Sequence, residues 1–126
     1  VSNLISDSNR QYPAADQAVK VMVPTIINIR KLEYSGGLPE SDMKIKISDY
    51  FNSLLDLEFD KSDLIALLYD NGASSVNTNM EIWIREFDVE GVKTTIKMTD
   101  QRYNIRTDTV SRFYTNSDEL SGVART

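Results

Sequence analysis

The densest grouping of residues able to do chemistry is "DLEFDKSD", which sets Asp56, Glu58, Asp60 and Asp63 within eight residues. Carboxylates so spaced suit a hard cation, which takes oxygen ligands. A calcium loop of the EF-hand type opening at Asp56 needs a glycine at its sixth position and a bidentate glutamate at its twelfth. Those places hold Lys61 and Leu67. The run is therefore read as a helix cap and solvated linker, and no metal site is assigned.

Two carboxylates flanking a glycosidic bond can hydrolyse it when burial raises the pKa of one. With 19 acids in the chain, spacing nominates too many pairs to single one out. "SGGLPES" has adjacent glycines but neither the GxGxxG spacing nor the lysine and hydroxyl of a phosphate loop. The sequence contains no histidine and no cysteine. The commonest general base, the commonest transition-metal ligand, the thiol nucleophile and the disulfide are all missing. The reading is a non-enzyme with no catalytic residue, no cofactor and no small-molecule substrate.

What stands out instead is apolar. In "NMEIWIREF" Met80, Ile82 and Ile84 alternate with Glu81, Trp83, Arg85 and Phe87. If the first set faces the core, Trp83 and Phe87 lie on the far side of the sheet. There either the C-terminal segment "TVSRFY" or another subunit must cover them. Trp83, Phe87, Phe113 and Tyr114 are the candidate interface residues, because large aromatics anchor protein contacts.

The elements that position these residues follow from periodicity. Residues 1–17 read as a flexible lead or linker, 18–115 as a single α+β domain and 116–126 as a polar C-terminal arm. In the first strand region Val19, Val21 and Val23 oppose Lys20 and Met22. Beyond Pro24, Ile27, Ile29 and Lys31 oppose Ile26, Asn28, Arg30 and Leu32. Proline has no N–H to give a ladder, so Pro24 implies an edge, a bulge or a bend and marks where the phase can change. After the "SGGLPES" turn, Met43, Ile47, Tyr50, Phe51, Leu54 and Leu55 form one helical stripe from about Glu40 to Asp56, though "MKIKI" inside it alternates like a strand. "FDKSDLIALLYDNG" carries a second, largely buried helix, with Asp60 as cap, Asp63 near its positive end and Gly72 closing it. "NMEIWIREF" and "VKTTIKM" pair antiparallel through "DVEG". The order strand-helix-helix-strand-strand predicts two helices packed on one face of a small antiparallel or mixed sheet, with extended arms at both ends.

Composition narrows the partners. At 126 residues the chain is the size of one domain. A formal charge of −5 without a Lys/Arg-rich run removes the electrostatic footprint of a nucleic-acid binder. No apolar run approaches the roughly 20 residues of a membrane span, so a soluble protein is expected.

Taken in order, the Tyr-Pro at Tyr12, "VKVMVP", the two-helix insert ending in "SDLIALLYDNGASSVN" and the return strand resemble the C-terminal region of contractile-tail phage baseplate wedge proteins, the baseplate J superfamily. The likeness runs from about Arg10 to Val92 and rests on element order and apolar placement. It departs where that family shows Gly-Val after the second helix and this chain has "NGASSVN". Nothing after Met98 corresponds. The resemblance implies a structural virion protein of the tail baseplate, the C-terminal part of a longer subunit assembled in the bacterial cytoplasm. Its implied partners are itself, as a dimer or ring, and other baseplate wedge proteins around the tail hub. The alternatives are a non-viral adaptor of another multi-protein complex, a carboxylate-dependent hydrolase, and an RNA-binding sheet that stacks bases on Trp83, Phe87 and Tyr103.

Overall fold

The computed structural model describes residues 22–88, 90–105 and 110–126. The lead at 1–17 and the alternation of Val19, Lys20 and Val21 lie outside the described residues. The rest builds an α+β fold around one long strand, β1 (Met22–Gly36). Its Ile, Thr and Val content suits a pleated, buried surface. On one edge β1 pairs antiparallel with β4 (Glu81–Phe87), in the register Ile27↔Ile84 and Ile29↔Ile82, and further along with β3 (Ala73–Val76). On its other edge it pairs parallel with β7 (Val110–Tyr114) and then with β8 (Val123–Arg125). β5 (Lys93–Lys97) pairs antiparallel with β4 and completes a mixed sheet of six strands. Both hairpin runs thus pair as their alternation predicts.

Pro24 sits in a strand paired on both edges, and its position explains why it is tolerated. The carbonyls of Ile27 and Ile29 accept bonds from Thr115 and Gly122, on the β7/β8 side. By alternation Thr25 faces that side too, while Pro24 faces the β4 side, where the ladder has not yet begun: its first pair is Ile26↔Arg85. Nor does the phase change at Pro24, since Thr25, Ile27 and Ile29 are all buried. It changes at Arg30–Lys31, where the register slips by one residue. Leu32 and Tyr34, at 0% and 1% exposure, are thereby turned inward with Ile27 and Ile29. Leu32 therefore lies on the core side, opposite to the expected alternation.

Both helices cover the inner face of the sheet. α1 (Glu40–Ser53) buries Met43, Ile47 and Phe51, while Ile45 stays 56% exposed, so "MKIKI" follows helical spacing and not alternation. It stops three residues short of the expected Asp56 and leaves Leu55 78% exposed. α2 (Lys61–Asp70) buries Leu64 and Leu68 but exposes Ala66 and Tyr69, so it is less enclosed than the largely buried helix expected. Asp60 caps it, accepting from the Ser62 N–H at 2.9 Å, and Gly72 follows at φ +96°.

Three segments form strands that alternation did not reveal. Within the acidic run, β2 (Glu58–Asp60) pairs with β6 (Arg102–Asn104) as a small ribbon. "ASSV" is β3, too short and polar to show a period. The expected polar arm at 116–126 is instead a 3₁₀ turn (Ser117–Leu120) leading into β8, with Leu120 and Val123 buried. The core runs from the sheet through Phe51, Phe59, Phe113 and Tyr103, with the Phe51 and Phe59 rings 4.8 Å apart edge to face.

Gly122 seals the phase change. Its N–H donates to the Ile29 carbonyl at 3.0 Å and its carbonyl accepts from the Leu32 N–H at 3.0 Å, so one residue spans the slip. Any Cβ there would overlap the carbonyl of Arg30. Gly122→Ala is expected to cost about 3 kcal/mol or more in urea unfolding, since two ladder bonds and the seating of Leu32 and Tyr34 depend on it. Gly91→Ala is the control: its φ of +84° is unfavourable, but no atom lies within 4 Å, so roughly 1 kcal/mol is expected. Equal losses at the two positions would refute this role for Gly122.

Candidate interaction surface

The face of the sheet turned away from the helices is built by the alternate residues of β1, β4 and β5. Across it Asn28 stands opposite Trp83 and Trp83 opposite Lys97, while in the next row Ile26 stands opposite Arg85 and Arg85 opposite Thr95. At one end Phe87 faces Lys93. The Arg30 guanidinium lies 4.3 Å from the Trp83 ring centroid, a stacking worth about 0.5–2 kcal/mol according to how dry it is. Arg30 Nε donates to Asn28 Oδ1 at 3.0 Å, and Asn28 Nδ2 in turn donates to Glu119 Oε1 at 3.0 Å and to the Glu119 carbonyl. Arg85 grips the same carboxylate with both terminal nitrogens, at 2.9 and 3.3 Å. That two-pronged contact is about 20–30% exposed and fixes orientation more than it adds stability.

These contacts group three residue types on one face, an indole, two guanidiniums and an amide, around a carboxylate delivered from the 3₁₀ turn. The turn is set by Asn116, whose Oδ1 accepts from the Glu119 N–H at 3.1 Å, and is anchored by buried Leu120. Beneath Arg30 the Trp83 Nε1–H is buried and finds no acceptor among the described residues. A buried donor left unpaired costs roughly 1–3 kcal/mol. The surface is thus polar around the indole, and among the described residues the indole N–H is the one buried side-chain group left without a partner.

The four candidate aromatics separate. Trp83 and Phe87 are half-buried on this outward face, and Tyr114 is 43% exposed at its β7 margin, opposite Ile26. Phe113, at 2% exposure, is a core residue, in edge contact with Phe51, Phe59 and Tyr103. Neighbours in a strand point to opposite faces, so Phe113 and Tyr114 could not both serve one surface. Nor does the described part of that segment, Val110–Tyr114, fold over Trp83: it is β7, hydrogen-bonded to the edge of β1, and Arg30 shields the indole instead. Arg30, Asn28 and Glu119 were missed by the sequence reading. The signal for Glu119 was its place three residues after Asn116, the spacing of a capping box.

Comparison with family models, with curated proteins and with solved structures finds no match to this chain.

The acidic run is occupied with structural work. Asp60 caps α2, and Gln101 Nε2 donates to its Oδ1 at 2.7 Å while Arg102 Nε donates to its Oδ2 at 3.0 Å. Arg102 also approaches Glu58 at 3.6 Å. Among the described residues no three acidic side chains are grouped to hold a metal ion. Tyr103, candidate for base stacking, sits with its ring in the core and its hydroxyl bonded to Glu86, away from Trp83.

The hydrogen bonds from Ser62, hydroxyl first and then N–H, followed by those from Gln101 and Arg102, hold the Asp60 carboxyl well below the usual carboxylate range. Its folded pKa is depressed, so its contribution is fully present above the unfolded value of about 3.9 and is lost as pH falls through the folded value. Asp60→Asn keeps a capping acceptor and removes the charge. The stability gap between the two proteins is expected to be constant from pH 7 to 5 and to shrink below about pH 4. A gap unchanged at pH 2 in urea titrations would contradict the assignment.

Proposed function

We propose that this protein works as an assembly subunit: it buries the outward sheet face against neighbouring copies and other proteins and catalyses no reaction. The observation that carries the reading is Trp83, a half-buried indole stacked under Arg30 whose N–H lacks an acceptor among the described residues. A partner packed on this spot dries the stacking and turns the aromatic and arginine pair into the kind of anchor that dominates interfaces. The outer edge of β5, which no strand covers among the described residues, offers unpaired backbone groups beside it.

The specific form of the proposal is a component of a contractile-tail baseplate wedge, held in the virion and binding itself and other wedge proteins. It is supported by the order of strand, helix pair and return strand, and by that alone. The more general form, an adaptor in some other complex, shares the same surface.

Sedimentation of the full chain from sub-micromolar to hundred-micromolar concentration tests the reading. Self-association in the micromolar range is expected. Trp83→Ala should weaken it at least about tenfold while leaving the unfolding midpoint within a few degrees, as removal of a central anchor does. A strict monomer, or a Trp83→Ala chain that is unfolded, would defeat it.

A further inference from the structure

The outward face and the helix side of the molecule carry opposite charge. On the outward face stand Arg30, Arg85, Lys93 and Lys97 against Glu81 and Glu119. On the helix side, two depressions of about 420 and 510 Å³ share Asp56 and Asp63. The first has an apolar floor of Tyr50, Leu54 and Leu67 with Asp70 on its rim, and Leu57 lines the second, 53% exposed. Among the described residues Arg102 is the one cation lining them, and it is already engaged by Glu58 and Asp60. Asp70 lies in the last turn of α2, where the helix dipole favours a cation. The negative field is felt inside as well. Burial first, then Asp63, Asp56 and Asp60, raises the Tyr50 hydroxyl above its ordinary pKa.

We infer that the apolar, acid-rimmed groove between α1 and α2 receives the basic outward face of a second copy of this chain, in a head-to-tail contact. This rests on the proposed assembly role and names the surface opposite the Trp83 face. Groove against groove or face against face would oppose like charges, which costs several kcal/mol and suppresses a two-fold pairing. Because groove and face lie on opposite sides of one sheet, each copy can engage two neighbours. Such a contact propagates until rotation closes it into a ring, or continues as a filament.

Charge reversal tests it in the full chain. Asp56→Lys with Asp70→Lys makes the groove basic, and Lys93→Glu with Lys97→Glu makes the face acidic; all four positions are exposed. In sedimentation at low salt the wild type is expected to form species beyond a dimer. Each reversed protein alone should associate at least about tenfold more weakly, and an equimolar mixture should recover the wild-type behaviour, since opposite charges then meet at every junction. Circular dichroism melts of each reversed protein confirm folding. If Trp83→Ala weakens association but the reversals do not, or the mixture fails to recover, the groove is not the receptor and the assembly reading stands without it. A wild type that stops at a dimer overturns the head-to-tail contact, and one that stays monomeric overturns both readings.

Discussion

The slip at Arg30–Lys31 is the constraint on which the rest of the fold depends. A strand of 15 residues with a strict period of two would place Ile27 and Ile29 on one face and Leu32 and Tyr34 on the other. Fully burying a large apolar side chain is worth about 1.5–3 kcal/mol, so losing Leu32 and Tyr34 to solvent would forfeit roughly 3–6 kcal/mol. That is of the same order as the whole stability of an ordinary domain. One extra residue in β1 keeps all four inside. The cost is a kink that only a residue without a side chain can bridge, and Gly122 fills that place from the far end of the chain.

This dependence explains why the C-terminal segment belongs to the fold. β7 and β8 pair parallel with the two halves of β1, and the 3₁₀ turn between them crosses the slip. Parallel pairing needs a long connection, and here it is everything from α1 to β6. The chain therefore closes its sheet last in sequence, with Phe113, Leu120 and Val123 filling the core that α1 and α2 have roofed. The buried Thr25 and Ser111 hydroxyls, 2.5 Å apart, satisfy each other across the same seam.

Legibility in the sequence followed from how strongly each element repeats its own period. α1, α2 and the β4/β5 hairpin were readable because several apolar residues recur at one spacing and are bounded by Asp60, Gly72 or the "DVEG" turn. β3 and β8 were not, since strands of three or four residues hold too few side chains to show alternation. "VAR" and "ASSV" become strands because β1 offers them unpaired backbone groups. The phase change was anticipated for β1 but placed at Pro24, the conspicuous residue. The slip needs only an extra residue opposite a distant glycine, and no local signal in "INIRKLEY" records that partner. For the surface, alternation set Trp83, Arg85 and Phe87 on one face correctly, and adjacency should have divided Phe113 from Tyr114. The places of Arg30 and Glu119 in the surface were out of reach, because Arg30 meets Trp83 from another strand and Glu119 meets Asn28 across 91 residues of sequence.

The same slip shapes the outward face. Turning Leu32 inward leaves two consecutive residues, Arg30 and Lys31, exposed at the kink, where regular alternation would have exposed only one of them. Arg30, which alternation with Ile27 and Ile29 already turns outward, lies across Trp83 from the neighbouring strand, and the slip adds Lys31 beside it. Core and surface adjoin at one backbone irregularity: it keeps Leu32 and Tyr34 dry, and it adds a second exposed cation beside the one that shields the indole. A substitution that regularised β1 would cost the core its Leu32 and Tyr34 and take Lys31 from the outward face in a single step. Side chains such as Lys93 and Lys97 are remote from the slip, so changes there can alter the outward face without touching that part of the core.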